Sequence, residues 1–286
     1  MARVIYVNGR YLPYAQAGVH AEDRGFQFAD AVYEVIEVRG GRLIDEPRHV
    51  ARLARSLGEL GIAAPMSPRA LANVLRETIR RNRVVHGVVY LQVSRGAGPR
   101  DFAMPPAGTE PTVVCLARSS RPEAQERAAE HGIRVVTMPD IRWGRSDIKT
   151  VMLLPACLAK AAAAGAGAKE AWLVDRDGYV TEGASSNAWI VDASGQLVTR
   201  HVDDNILAGV TRATVLDAIA REGYEVSIRP FTPEDAYAAR EAFITSASNT
   251  VMPVVEIDGR VIASGRPGGL SRRLRQIFHQ VATASS

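Results

Sequence analysis

Alternating apolar and polar positions predict short strands along most of the chain. Residues 4–11 are typical of a hairpin around Asn8-Gly9, a turn that suits two positive φ angles. In residues 47–60 the apolar positions instead recur every three or four residues, the spacing of one helix face. Ser67 and Pro68 suit the cap and first turn of another helix, which we expect to run to about residue 81.

The remaining pattern predicts two domains built mainly from antiparallel hairpins, an α/β chain of the α+β type. We expect a smaller N-terminal α/β domain at 1–118, a linker rich in Pro and polar residues at 119–124, and a larger C-terminal domain at 125–286. Further strands are predicted at 32–38, 42–44, 88–93, 112–116, 133–137, 171–174, 179–181, 187–191, 197–199 and 242–245, with a hairpin around Asp258-Gly259 at 254–262. Further helices are predicted at 153–164, 210–221, 233–239 and 269–282.

Composition narrows the class of protein. The chain has 286 residues, 47% hydrophobic and 23% charged, which is typical of a soluble globular protein with a real core. The net charge of +4 comes from scattered basic residues, so a nucleic-acid face is not expected. No apolar stretch is long enough to span a membrane, and no signal peptide is evident. The two cysteines suit a reducing, cytoplasmic setting and cannot form a disulfide framework.

The lysines are the most informative residues. Only Lys149, Lys160 and Lys169 occur among 35 basic residues, and the others are arginine. A surface lysine is easily replaced by arginine, whereas an amine that must react covalently is not. Lys149 precedes the apolar run 151–154, and a lysine in a partly dry site has a lowered pKa and a usable amine. An ordinary surface lysine at the start of an element fits the same pattern equally well.

Three further features carry chemistry that complements the amine of Lys149. Residues 181–187 combine the carboxylate of Glu182 with glycine and small hydroxyls, and residues 207–212 open a helix with a glycine and a hydroxyl, as anion sites do. The guanidinium of Arg52 could hold the same anion. Taken singly, these are also a polar turn, a plain helix start and a solvated side chain. Together with Lys149 they supply the amine, the acid and the phosphate cradle that pyridoxal phosphate requires.

Other motifs that carry chemistry are missing from the sequence. There is no Walker A segment or His-Glu-x-x-His motif, and the six histidines do not pair at metal-ligand spacing. Gly96-Ala97-Gly98 is followed by Pro99 and not by a helix, so we do not interpret it as a dinucleotide site. The sequence therefore predicts no metal centre.

Four segments resemble those of a known family in the same order. Residues 22–34, 147–149, 181–187 and 206–212 are similar to the fold-type-IV pyridoxal-phosphate enzymes, the class IV aminotransferases, and among them to the D-amino acid transaminases. The similarity extends from about residue 4 to residue 278. It implies a two-domain fold whose larger C-terminal domain is mainly antiparallel, with the cofactor between the domains. It also implies a homodimer in which the partner subunit completes the substrate pocket.

The resemblance assigns a role to particular residues. Lys149 matches the Schiff-base lysine that also carries the proton, and Glu182 matches the acid that keeps the pyridine nitrogen protonated. Tyr33 and Arg100 match two residues that bind the substrate carboxylate. The phosphate-binding positions match Arg52, Val210, Thr211, Ser246 and the amide of Ala247, and Leu207 matches the apolar residue packed on the ring.

The substrate side departs from the family. Phe102 stands where the D-amino acid enzymes have a histidine, and a phenyl ring cannot donate a hydrogen bond. Arg100 either binds a carboxylate in bidentate fashion or is drawn away by Asp101. Lys169 also stands where a tyrosine is common, which would change the surroundings of the cofactor's hydroxyl.

The resemblance implies a transaminase that moves the amino group of a D-amino acid, such as D-alanine, to 2-oxoglutarate or pyruvate by ping-pong kinetics. Aminodeoxychorismate lyase shares the lysine and the acid, and is the first alternative. Transaminases for branched-chain L-amino acids, or for (R)-amines without a carboxylate, come next, and Phe102 favours the amines. Two alternatives lie outside these enzymes. Lys149 and Glu182 argue against a cofactor-binding protein without catalysis. The scattered arginines argue against a nucleic-acid partner.

Overall fold

The computed structural model describes residues 3–106 and 108–285, and its internal contacts divide the chain into two units. The first unit contains the described residues up to Pro122 together with Ile148–Met152 and 283–285. The second contains Glu123–Asp147 and Leu153–Ala282. Each unit has one sheet and its own helices, which confirms the predicted mixture of helices and strands.

The described residues form sixteen strands, eight α-helices and one 3-10 helix at Tyr14–Gln16. The strands are β1 (Val4–Val7), β2 (Arg10–Pro13), β3 (Ala31–Arg39), β4 (Arg42–Ile44), β5 (His86–Ser94), β6 (Thr112–Ser119), β7 (Ile133–Pro139), β8 (Glu170–Val174), β9 (Val180–Gly183), β10 (Asn187–Val191), β11 (Leu197–Thr199), β12 (Val226–Ile228), β13 (Glu241–Ser246), β14 (Thr250–Ile257), β15 (Arg260–Val261) and β16 (Ala284–Ser285). The helices are α1 (Arg24–Phe28), α2 (Glu46–Glu59), α3 (Pro68–Asn82), α4 (Pro122–His131), α5 (Leu154–Gly165), α6 (Val210–Arg221), α7 (Pro233–Tyr237) and α8 (Gly269–Val281).

The first unit is built on one antiparallel sheet. Its strand order is β16-β4-β3-β5-β6-β1-β2, and every neighbouring pair is antiparallel. Along β3, Glu34 and Ile36 are buried while Tyr33 and Val35 are half-buried, because successive side chains point to opposite faces. Helices α2 and α3 pack against β3, β5 and β6. The buried side chain of Glu34 faces α2, where it belongs to the polar cluster described below.

The second unit has a nine-stranded mixed sheet. The order is β12-β11-β10-β13-β14-β7-β8-β9, with β15 on β14. Five pairs are antiparallel, as expected, but β7 is parallel to both β8 and β14, and β11 is parallel to β12. Parallel neighbours need a long crossover, which α5 supplies between β7 and β8. Trp172, Trp189 and Phe243, each fully buried, fill the core of this unit.

Two segments lie apart from the domain in which the sequence analysis counted them. Residues Ile148–Met152 belong to the first unit because Val151 N donates to Ala31 O at 3.1 Å and Val32 forms a bridge with Thr150. Residues 283–285 belong there because β16 pairs with β4. Both contacts join residues far apart in sequence, so no local pattern announces them. The domain boundaries themselves stay a prediction.

The connection near residue 120 is shorter than the predicted linker at 119–124. Strand β6 extends to Ser119 and α4 begins at Pro122, so two residues separate them. Helix α4 was not predicted, because its Pro-Glu start resembles a loop. In the part of the chain that the structure describes, no helix is long and apolar enough to cross a membrane, and no group of His, Cys, Asp or Glu side chains could hold a metal ion.

We expect Leu75→Ala to lower the free energy of unfolding by about 2–5 kcal/mol, because Leu75 in α3 is fully buried and the substitution leaves a cavity. The matched control is Leu158→Ala in α5, whose side chain is 54% exposed and should cost under about 0.5 kcal/mol. Urea unfolding followed by circular dichroism measures both. Equal costs would mean that α3 does not pack on the sheet as described.

Candidate active site

Lys149 lies in the first unit against β3. Its carbonyl oxygen accepts from Tyr33 N at 3.0 Å, and its own N–H donates to Ser56 Oγ at 3.4 Å. The amine Nζ is 4.3 Å from the centre of the Tyr33 ring. Lys149 is half-buried, whereas Met152 and Leu154 in the apolar run that follows are exposed. The apolar contact of the amine therefore comes from Tyr33, which is far from it in sequence, and not from the neighbouring run.

A buried polar cluster stands on the same strand. Arg52 of α2 binds the Glu34 carboxylate with both Nε and Nη2, at 2.8 and 2.7 Å. His49 Nδ1 is 2.7 Å from Glu34 Oε2. Burial alone would raise the pKa of Glu34, but the Arg52 charge and hydrogen bonds from Arg52 and His49 outweigh it and lower that pKa to about 2. The sequence analysis missed Glu34 and His49, although the strand alternation put Glu34 on the buried face.

The His49 ring in this cluster is neutral at pH 7. Burial lowers its pKa below the usual value, and the Glu34 carboxylate only partly compensates. The cluster therefore carries one arginine charge against one carboxylate charge. The two hydrogen bonds to Glu34 fix the guanidinium of Arg52, the residue expected at the phosphate.

Tyr33 has a second aromatic neighbour. The Tyr33 and Tyr90 rings stack with centres 5.6 Å apart, and Tyr90 OH donates to Gln92 Oε1 at 2.6 Å. Burial, followed by the nearby Tyr33, raises the pKa of Tyr90 to about 12, so its hydroxyl is neutral at physiological pH. The stack restricts the Tyr33 ring under the Lys149 amine.

Arg100, the other expected substrate residue, is exposed on the segment that follows β5. Its guanidinium lies 5.4 Å from the centre of the Phe28 ring and 5.8 Å from that of Phe102. Among the residues that the structure describes it makes no ion pair, and the Asp101 carboxylate accepts from Ala103 N at 3.1 Å. Asp101 therefore does not draw Arg100 away, and the charge of Arg100 faces two aromatic rings.

Glu182 lies in the second unit, in β9, and is buried. Its Oε1 accepts from Arg142 Nη1, and its Oε2 accepts from Asn187 Nδ2 at 2.9 Å and from Leu207 N at 3.2 Å. The structure thus brings together Glu182 and Leu207, two of the residues expected around a cofactor ring. Three donors to one carboxylate stabilise its ionised form.

Arg142 neutralises a second carboxylate beside Glu182. Its Nε and Nη2 bind Asp140 at 2.9 and 2.7 Å, and Thr181 Oγ1 donates to Asp140 at 2.8 Å. Burial raises the pKa of Asp140, but hydrogen bonds and charge from Arg142 outweigh it and lower that pKa overall. The same carboxylates raise the pKa of the Arg142 guanidinium although burial opposes this. No motif marked Asp140 or Arg142, since two polar residues after a strand look like an ordinary loop.

The backbone at the start of helix α6 lies close to Asn187. Gly209 occupies the cap position without a side-chain cap, and Val210 and Thr211 behind it are buried. A Cβ on Gly209 would collide with Asn187 Oδ1, so the glycine is needed here. Asn187 Nδ2 also donates to Leu207 O at 3.0 Å, which ties this turn to the Glu182 carboxylate. The first N–H groups of α6 therefore remain available to an anion.

Ser246 and Ala247 follow the same sheet. Ser246 ends β13 and Ala247 begins the turn to β14, both half-buried. Asn249 Nδ2 donates to Ser246 Oγ at 3.2 Å. Asn187, the neighbour of α6, pairs in register with Thr245, next to Ser246. The second unit thus supplies a buried carboxylate, an uncapped helix start and a serine hydroxyl, a donor set that fits a phosphorylated pyridine.

The comparisons with known proteins agree with this donor set. The sequence model of the family Amino-transferase class IV matches residues 31–257. A D-alanine aminotransferase from Bacillus licheniformis is 38% identical over 271 residues, covering 95% of this chain and 94% of the relative. Another from Staphylococcus epidermidis is 34% identical over 282 residues, covering 99% of each chain. The chain belongs to the class IV aminotransferase family, a class of enzymes that use pyridoxal phosphate.

Solved structures confirm the fold expected from the resemblance. A branched-chain amino acid aminotransferase from T.th., solved with pyridoxamine 5'-phosphate, has a TM-score of 0.88 at 27% identity and covers 98% of this chain and 94% of its own. The branched-chain enzyme of Escherichia coli has the same TM-score at 24% identity and covers the same shares. The latter likeness shows the fold alone.

We expect Arg142→Met to lower the free energy of unfolding by about 3–5 kcal/mol, because it leaves the buried Asp140 and Glu182 carboxylates without their cation. The matched control is Arg273→Met. Arg273 also binds a carboxylate with two nitrogens, that of Glu222, but on the surface, where water and salt screen the pair and its loss should cost far less. Urea unfolding of the two variants at neutral pH measures the difference, and similar losses would contradict the buried role of Arg142.

We expect Glu34→Gln to reduce the pH dependence of stability on the acid side. The folded pKa of Glu34, about 2, lies below its unfolded value of 4.5, so its contribution is complete above pH 4.5 and is lost as the pH falls toward 2. The variant should therefore be less stable at pH 6, and its deficit should shrink as the pH falls below 4.5.

Unfolding midpoints in urea at pH 6, 4 and 3 measure this convergence. Glu77→Gln is the matched control, because Glu77 also pairs with arginines, Arg80 and Arg81, but on an exposed helix face that salt screens. A deficit of Glu34→Gln that grows as the pH falls would contradict the assigned direction of the shift.

Proposed function

We propose that this protein transfers the amino group of a D-amino acid, D-alanine first, to a 2-oxo acid such as pyruvate or 2-oxoglutarate. The observation that carries the proposal is its similarity, over nearly the whole length, to D-alanine aminotransferases from Bacillus licheniformis and Staphylococcus epidermidis. The branched-chain aminotransferases share the fold at lower identity. Transfer of branched-chain L-amino acids is therefore the second candidate.

The donor set fits pyridoxal phosphate. When bound, this cofactor supplies an aldehyde for the substrate's amino group and a ring that accepts the electrons left when the Cα proton departs. Lys149 is the amine that holds the cofactor and moves the proton, and the Tyr33 ring below it restricts its position. Glu182 holds a proton on the ring nitrogen, because Arg142 keeps the carboxylate ionised. As the resemblance implies, Leu207 would pack on the ring, and the residues that would hold the phosphate are Arg52, Val210, Thr211, Ser246 and the amide of Ala247.

Substrate recognition rests on Tyr33 and Arg100. Arg100 provides the charge for the substrate carboxylate, and the absence of an ion pair with Asp101 among the described residues supports this role. Phe102 supplies no hydrogen bond and presents an apolar surface instead.

The protein is proposed to act as a homodimer in the cytoplasm, with an active site shared between subunits. An apolar ladder across the first sheet, Val35 beside Tyr90 beside Leu116, is only half-buried in the single chain and supports a partner there. Free thiols at Cys115 and Cys157 suit a reducing compartment. Sedimentation of the purified protein tests the dimer.

The first experiment is an absorbance spectrum of the protein with pyridoxal phosphate, before and after D-alanine, L-alanine or L-leucine. Loss of the visible band with D-alanine alone supports the proposal. Loss with L-leucine alone would move the assignment to the branched-chain reaction. Pyruvate released from aminodeoxychorismate without an amino acceptor would identify a lyase instead.

We expect Lys149→Arg to lose at least about a hundredfold of the turnover, the lower end of what a positioned proton carrier contributes, because arginine keeps the charge but is not a usable nucleophile. The matched control is Lys160→Arg, in which the charge beside Glu170 is also kept. A coupled assay of pyruvate formation from D-alanine measures both. Equal activities would show that Lys149 is not the reacting amine.

A further inference from the structure

The segment that carries Arg100 and Phe102 is held by one buried arginine. Residues 97–104 are mostly exposed and lie between β5 and β6 without strand pairing of their own, apart from a bridge at Ala97. Arg24, only 5% exposed, donates from Nη1 to Asp101 O at 2.8 Å and to Ala103 O at 3.4 Å. These two carbonyl groups flank Phe102. The conformation of the segment therefore depends on a side chain that reaches it from α1.

Arg24 itself is fixed from three sides. Its Nε donates to Asp30 Oδ2 at 2.9 Å, and Arg95 binds the same carboxylate at 2.6 and 3.0 Å. Burial would raise the pKa of Asp30, but hydrogen bonds and charge from the two arginines outweigh it and lower that pKa. The backbone N–H of Arg24 donates to Gly96 O at 2.9 Å, and Asp23 caps the helix that Arg24 begins. Arg24 thus projects from a rigid base.

The arginines and rings of this region alternate. The Arg24 guanidinium lies 4.6 Å from the centre of the Phe28 ring, and Arg100 lies 5.4 Å from the same ring. The Phe28 and Phe102 rings meet edge to face at 5.7 Å. Cations within about 6 Å of a ring centre are attracted to it. Phe28 and Phe102 thus restrict Arg100 without using its N–H groups, which form no hydrogen bond or ion pair with the described residues.

A buried cation opposes loss of its acceptors. If the segment lifted away, the Nη1 group of Arg24 would exchange two carbonyl partners for water, and hydrogen bonds to a charged donor favour the held state. The held conformation is therefore the favoured one before any substrate arrives. A preorganised arginine binds a carboxylate without the entropic cost of ordering its segment.

We propose that Arg24 is a positioning residue for substrate binding, which acts through the carbonyl groups of Asp101 and Ala103 to hold Arg100 where it meets the substrate's carboxylate. Phe28 and Phe102 also restrict Arg100, in place of a hydrogen-bonding side chain at position 102. The inference rests on the proposed function and deepens it. Its substrates are amino acids and 2-oxo acids, since both carry the carboxylate that Arg100 would bind.

The test compares Arg24→Lys with wild type, because lysine keeps the charge beside Asp30 but cannot bind Asp30 and two carbonyl groups with one fork. We expect the KM for D-alanine to rise about tenfold, the scale of one lost charged hydrogen bond. The kcat should stay within about twofold, and the visible band of bound pyridoxal phosphate should be unchanged. Limited trypsin digestion should cleave faster after Arg100 in the variant.

Two further variants keep the test decisive. Arg81→Lys is the matched control, since Arg81 also lies over a ring, that of Tyr11 at 4.3 Å, but touches neither Asp101 nor Ala103. It should leave KM and digestion unchanged. Phe28→Leu keeps an apolar side chain and removes the ring, and we expect it to raise KM about threefold even if Arg24→Lys fails to fold. An unchanged KM in both test variants, or a fall in kcat at constant KM, would overturn the role of Arg24.

The outcome separates this inference from the proposed function. The kinetics use whichever amino acid discharges the visible band of the wild type. If that amino acid is L-leucine and not D-alanine, the proposed substrate is wrong while the KM comparison still decides the role of Arg24. If no amino acid discharges the band, both proposals are overturned, because Arg100 then has no amino acid carboxylate to bind.

Discussion

The main physical constraint in this protein is the burial of ionised carboxylates, four of which are bound by arginines through several hydrogen bonds. Arg52 holds Glu34, Arg142 holds Asp140 and Glu182, and Arg24 and Arg95 hold Asp30. Every one of these cations is an arginine, whose planar fork matches a carboxylate better than an ammonium group does. The preponderance of arginine in the composition thus has a structural use in both units.

These pairs also explain how the candidate site is prepared before it binds anything. A carboxylate held by an arginine stays ionised, and its side chain has one favoured position. In the second unit this fixes Glu182, and Asn187 extends the same network to Leu207 and the start of α6. In the first unit the Glu34 cluster fixes Arg52, while Lys149 is placed by its backbone contacts with Tyr33 and Ser56. Ion pairs thus position Glu182 and Arg52, whereas hydrogen bonds of the backbone position Lys149.

The departure at position 102 changes how a carboxylate could be recognised. A histidine would bind it directly, whereas a phenylalanine can act only on its neighbours. The exposed Arg100 lies beside Phe28 and Phe102. The Phe102 ring therefore attracts the Arg100 cation, where a histidine would form a hydrogen bond. Such an arrangement depends on the backbone that carries the rings and the arginine. Arg24, although remote in sequence, therefore affects substrate binding by holding that backbone.

Local sequence alone determined much of the fold. Alternation predicted most strands, the three-to-four spacing predicted α2, the Ser67-Pro68 cap predicted α3, and the rarity of lysine singled out Lys149. The partners of those residues were decided by tertiary structure. The parallel pairs of β7, the place of 148–152 beside β3, and the contacts of Arg142 and Arg24 all join positions distant in the chain. The physical reason is that periodicity records which face of an element is buried, whereas a buried charge is paired by whatever residue the completed fold brings to it.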